Sequence, residues 1–138
     1  MKKTVLLIGT SLAISLAATS AQACGYCIED KIASVYDHAV VAEAMAQHHH
    51  VAFFGLDGPL GAQDMRVVKT RVESIYGVDT GSVRLSTESA ALSLAFNPKR
   101  ISQAGLQKSM ERKLNDKKVL VLPLRVMDAP ATLKPVSQ

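Results

Sequence analysis

Residues 24 to 27 read Cys24-Gly25-Tyr26-Cys27, a C-x-x-C that holds the only two cysteines of the chain. It opens a stretch with helical spacing. Thiols at a helix start lie near unpaired backbone N–H groups and the positive end of the dipole, which stabilise thiolate and lower the thiol pKa. Thiolate is the form that binds soft metals such as Cu(I), and also the form that attacks disulfides. Two quieter readings compete. A disulfide within C-x-x-C closes a very small loop and adds little stability by the chain-entropy argument. A lipidated Cys24 would call for a Leu-like residue three positions earlier, where Ala21 stands.

A second candidate group is His48-His49-His50. Consecutive histidines suggest metal contact, although histidine in a last helical turn also suits the dipole there. If the helix continues, Met45, His48 and His49 share a face at i, i+3 and i+4. A thioether with imidazoles suits copper in either oxidation state. His38, beside Val41 and Met45, reads as a partly packed surface residue, and Met65, Met110 and Met127 read as core packing. No Ser-His-Asp set, carboxylate pair or phosphate loop emerges from the spacing, so hydrolytic and nucleotide chemistry have no support.

The elements that position these residues begin with a leader. Lys2 and Lys3 precede the apolar stretch Val5 to Ala18, and Ala21-Gln22-Ala23 is a small-x-small cleavage site, so residues 1–23 read as a signal peptide and the expected location is the periplasm. The stretch is too short and too interrupted for a membrane span. Export implies an oxidising compartment. The remaining length suits one small domain. Lys2 and Lys3 account for two of the +4 formal charges, and so small a charge gives no case for nucleic acid.

Residues 24–49 form the C-x-x-C motif and an N-terminal helix. Ile28, Ile32, Val35, Ala39, Ala42 and Ala46 recur at spacings of four and three, which predicts one helix over Ile28 to Gln47. That stripe suits helix pairing in a homodimer and equally packing on the domain's own sheet, the option favoured here. A straight helix would separate Cys27 from His48 by roughly 30 Å, placing cysteines and histidines of one chain on different ions.

Beyond it the period shifts. Val51 to Leu56 reads as a buried strand, Gln63 to Tyr76 as a helix stopped by Gly77, and Ser82 to Ser86 with Ala91 to Phe96 as two strands with alternating apolar residues. Ser102 is an N-cap with an Ile101–Leu106 staple, and its helix runs to about Lys117. Lys118 to Met127 is a last strand, and Pro123 assigns it to an edge. Residues 128–138 carry no apolar pattern and read as a flexible tail. The expected fold is α+β: a ferredoxin-like βαββαβ domain over residues 50–127, preceded by one added N-terminal helix.

The pieces "VAFFGLDG", "RVESIYGV", "SVRLSTESAALSLAFNP" and "LQKSMERKL", in that order, resemble the heavy-metal-associated domain of copper chaperones and mercury-binding periplasmic proteins. The resemblance implies a metal carrier. That family holds its ion through a C-x-x-C in the loop after the first strand, whereas "GLDGPLGAQDM" has no cysteine here. "CGYCIEDKIASV" instead repeats the motif upstream, as a C-x-x-C opening a helix. "CGYC" is also similar to the active-site tetrapeptide of the periplasmic disulfide isomerase, but thioredoxin-like enzymes place that motif after a βαβ start, which is not found before Cys24. The expected function is therefore non-catalytic binding of a soft metal through Cys24 and Cys27. Copper as Cu(I) comes first among soft or borderline metals, buffered or passed to a metal-transfer protein partner. His48, His49 and His50 are additional candidate ligands. The alternative is a thiol-disulfide oxidoreductase or redox sensor using the same pair.

Overall fold

A computed structural model describes residues 23–128, with side chains from Ile28 onward; the expected leader through Gln22 and the tail after Asp128 lie outside the described residues. Helices α1 (Ala23–Val35) and α2 (His38–Ala46) come first. Then follow β1 (His50–Asp57), α3 (Ala62–Glu73), β2 (Arg84–Ser86), β3 (Ala91–Phe96) and α4 (Gln103–Leu114). A 3-10 turn (Asn115–Lys117) leads into β4 (Leu120–Met127). The four strands make one sheet in the order β2-β3-β1-β4, with every neighbouring pair antiparallel. The protein is α+β, and from β1 onward its element order agrees with the ferredoxin-like expectation. β4 lies at an edge, as Pro123 requires, and its register shifts opposite Phe53 and Phe54.

One face of the sheet is covered by α3 and α4. Each helix starts on a local cap: the Asp64 carboxylate accepts from the Gly61 N–H at 3.1 Å, and the Ser102 hydroxyl accepts from the Gly105 N–H at 3.1 Å. Met65, Val68 and Val72 of α3 and Leu106, Met110 and Leu114 of α4 then meet Ala52, Phe54, Leu56, Leu92, Leu94 and Phe96 in the larger core. After α3 the chain turns at Gly77, with φ +93°. A Cβ there would stand 2.7 Å from Cγ2 of Ile101, so the turn needs glycine.

The opposite face is covered by α1 and α2. Ile32, Val35, Val40, Val41 and Ala44 pack on Val51, Phe53, Ala91 and Ala95 in a second core. The helical segment thus packs on its own sheet. With both faces covered, β3 is buried at all six positions, where the alternation of its sequence suggests one wet face. Ser93 is accommodated because its hydroxyl donates to the Val35 carbonyl at 2.6 Å.

The single helix expected over Ile28 to Gln47 is two helices, broken at Tyr36 and Asp37. Asp37 is extended (φ −125°, ψ 111°) and caps α2, accepting from Ala39 N–H at 2.9 Å and Val40 N–H at 3.3 Å. It also accepts from Nε of Arg84 at 2.8 Å. A helix continued through Asp37 would forfeit these bonds, and an aspartate's short polar side chain competes well with helix interior geometry. The Arg84 guanidinium, helped by the Val40 N–H, holds the Asp37 carboxyl below its usual value. The break also resets the helical phase. Val40, Val41 and Ala44 face inward, while Ala39, Ala42 and Ala46 of the expected stripe are exposed, as is Ile28. β2 is shorter than expected because Ser82 leaves the ladder, its hydroxyl accepting from the Ala95 N–H at 3.0 Å.

Candidate metal-binding site

The backbone places Cys24 in the first turn of α1, which begins at Ala23, and Cys27 at the start of the second; their side chains lie outside the described residues. The helix they open is tied down on both flanks. Glu29 pairs with Arg125 of β4, and Lys31 Nζ donates to the Ser89 carbonyl of the β2–β3 turn at 2.6 Å. Both acidic residues following the motif, Glu29 and Asp30, are exposed, but the Glu29 charge is met by a guanidinium.

The histidines fall where α2 ends, not on its face. Gln47 is the C-cap, His48 has φ +57°, and the N–H groups of His48 and His49 return to the carbonyls of Met45 at 3.1 Å and Ala44 at 2.8 Å. This is the Schellman arrangement, with histidine in the left-handed position that glycine commonly takes. Met45, His48 and His49 therefore do not share a helical face. His48 is exposed and His38, the first residue of α2, is exposed too, not packed mid-helix.

His49 and His50 diverge. Nδ1 of His49 lies 2.7 Å from Oδ2 of Asp79, with both side chains largely covered. The carboxylate can only accept, so Nδ1 carries the hydrogen, and in the neutral tautomer Nε2 keeps the lone pair with which an imidazole ligates a metal. His50 begins β1, sits edge-on to Phe96 at 5.6 Å between ring centroids, and has Nδ1 3.1 Å from Oδ1 of the exposed Asp128. Orienting carboxylates of this kind commonly stand behind metal-binding imidazoles. Even so, among the described residues no three His, Cys, Asp or Glu side chains converge to hold an ion. Asp79 and Asp128 are partners that the fold brings to the histidines from 30 residues and more away in the chain, without a local pattern.

The straight-helix separation of cysteines and histidines does not stand, since α1 and α2 are distinct segments. The loop after β1 is braced as structure: Leu60 packs on the larger core, and a Cβ at Gly58 (φ +152°) would meet the Lys118 carbonyl at 2.8 Å. A small cleft of about 150 Å³ lies between α2 and residues 79–84. It is lined by Glu43, Gln47, Asp79, Ser82 and Arg84, the last already engaged by Asp37.

Compared with protein-family models and with curated proteins, the chain matches none. No helix among the described residues is long and apolar enough to cross a membrane.

Proposed function

We propose that this protein binds a soft transition metal, Cu(I) first, through Cys24 and Cys27, and buffers the ion or hands it to a partner protein in the periplasm. The observation that carries this reading is the start of α1 at Ala23, which leaves Cys24 among the first-turn N–H groups that have no intrahelical acceptor and sets Cys27 three residues on, beside it on the same helix face. Those groups favour thiolate, and two thiolates suit a soft monovalent ion. The ion pair between Glu29 and Arg125 supports the same reading, because it offsets one of the two carboxylates that would otherwise oppose thiolate formation. The likeness of residues 50–127 to the heavy-metal-associated domain agrees with it, with the binding motif moved from the loop after β1 to α1. A pair at a helix start can release an ion by stepwise replacement of its sulfurs by those of an acceptor.

The test is anaerobic. Reduced protein should retain a single Cu(I) per chain against a competing chelator, and Cys24→Ser or Cys27→Ser should abolish retention. Substitutions in the loop Asp57 to Met65 should leave retention unchanged. Full Cu(I) affinity in the double cysteine variant refutes the proposal. Rapid isomerisation of scrambled disulfides that disappears in Cys24→Ser, without Cu(I) retention, assigns the pair to thiol-disulfide exchange instead.

A further inference from the structure

The small net charge conceals a strong division of sign between the two helix layers. Residues 62–73 and 97–118, which form α3, α4 and their flanks, carry ten basic and four acidic side chains. Residues 28–49, which form α1 and α2, carry one basic and four acidic. Ion pairing leaves the excess of cations on the first layer standing, and on the second Arg125 and Arg84 meet Glu29 and Asp37. The acids of the α3–α4 layer are largely used within it, by Lys117 on Asp64, Arg71 on Asp116 and Lys69 on Glu73. The Lys117 and Arg71 contacts hold Asp64 and Asp116 below the usual carboxylate value. Arg66, Lys99, Arg100, Lys108, Arg112 and Lys113 are exposed and form no ion pair among the described residues.

Of these cations only Lys108 and Arg112, one turn apart on α4, share a shallow cleft, and Glu111 lines it with them. The cations lie along and beyond two side-by-side helices, of which α4 alone is about 18 Å long. A small anion needs donors aimed at one point, so the array suits an extended anionic surface. A nucleic acid strand would want aromatic rings on which to stack bases. The layer offers one exposed ring, Tyr76, and the Arg100 guanidinium already lies over it at 5.6 Å from the centroid. The sheet separates this layer from α1, so a surface held at α3 and α4 leaves the start of α1 on the far side. Asp30 and Glu43 on that far side form no ion pair among the described residues, would be repelled by the same surface and would fix the orientation.

We propose that the α3–α4 layer is a docking face for anionic phospholipid, holding the protein on a membrane surface with α1 and α2 turned outward. This stands apart from the metal reading, since it uses neither cysteine nor histidine.

Vesicle sedimentation of the full chain tests it with two variants of equal charge. Lys108→Gln with Arg112→Gln, and Ala33→Glu with Ala42→Glu, each lower the charge by two at exposed positions of opposite layers. Circular dichroism checks that both fold. The wild type should bind phosphatidylglycerol-rich vesicles far better than phosphatidylcholine vesicles, and rising salt should reverse this. The α4 variant should bind roughly twenty-five-fold more weakly, about fivefold per cation removed near such a surface. The α1–α2 variant should bind as the wild type does. Equal losses in the two variants, equal binding to both lipids, or tighter binding of a short single-stranded oligonucleotide than of the phosphatidylglycerol-rich vesicles would each overturn the proposal.

Discussion

The α3–α4 layer meets the sheet through Val68, Val72, Leu106, Met110 and Leu114, each with no exposed surface. The α1–α2 layer meets the same sheet through Ile32, Val35, Val40, Val41 and Ala44, opposite two alanines of β3. The first core gathers more buried residues than the second. Polar contacts assist the second: the Ser93 hydroxyl on the Val35 carbonyl, Lys31 on the Ser89 carbonyl, Arg84 on Asp37 and His49 on Asp79. The ion pairs of the α3–α4 layer, Arg71 with Asp116 and Lys117 with Asp64, tie its own elements together, while apolar burial holds the layer to the sheet. A layer held partly by ionic and hydrogen-bonded ties can be loosened without unfolding the other.

Three substitutions bear on that comparison. Leu106→Ala, at the centre of the larger core, should destabilise the whole domain by about 2–5 kcal/mol, because it removes buried methyl groups and leaves a cavity. Chemical denaturation should show one transition moved to lower denaturant. A loss confined to α1 and α2 would mean that the two cores had been weighed wrongly. Ser93→Ala should cost about 1–3 kcal/mol, the price of leaving the Val35 carbonyl buried without its donor. Hydrogen exchange should show faster opening at α1 and little change in α4; uniform acceleration would show the layers to be one cooperative unit.

Asp37→Ala should have the smallest effect and should depend on pH. The folded carboxyl titrates below its ordinary value, so it binds protons less readily folded than unfolded. Its contribution is full above the ordinary carboxylate value and is lost as pH falls through the folded one. Denaturation midpoints of variant and wild type should therefore differ at neutral pH and converge in acid. A constant difference across the range would show that the carboxylate charge, in the cap as in the Arg84 ion pair, contributes nothing.

Most of the second half of the fold was legible because it obeys simple periods. Met65, Val68 and Val72 mark a helix, Ser102 marks the start of the next, and Pro123 marks an edge. The N-terminal segment misled because its apolar residues keep one spacing across Asp37. Small alanines cost little when exposed, so Ala39, Ala42 and Ala46 could carry the stripe without carrying the core. The aspartate itself was the available signal, as an N-cap residue two positions before the apolar run Ala39 to Val41. Of the candidate site, the cysteine motif and its helix start were readable. The turn at His48 and the pairing of His49 with Asp79 were not, because they arise from the close of α2 and from contacts between distant segments.

The two margins of the sheet give the protein a defence against its own kind. β4 presents exposed Leu120 and Leu122, sticky side chains on an open strand. Pro123 between Leu122 and Leu124 withholds an N–H, and the register shift nearby bends the strand out of line. At the other margin β2 is three residues long. An incoming strand finds an interrupted ladder on either side, so the sheet is poorly suited to serve as a template for fibrous growth even when concentration is high.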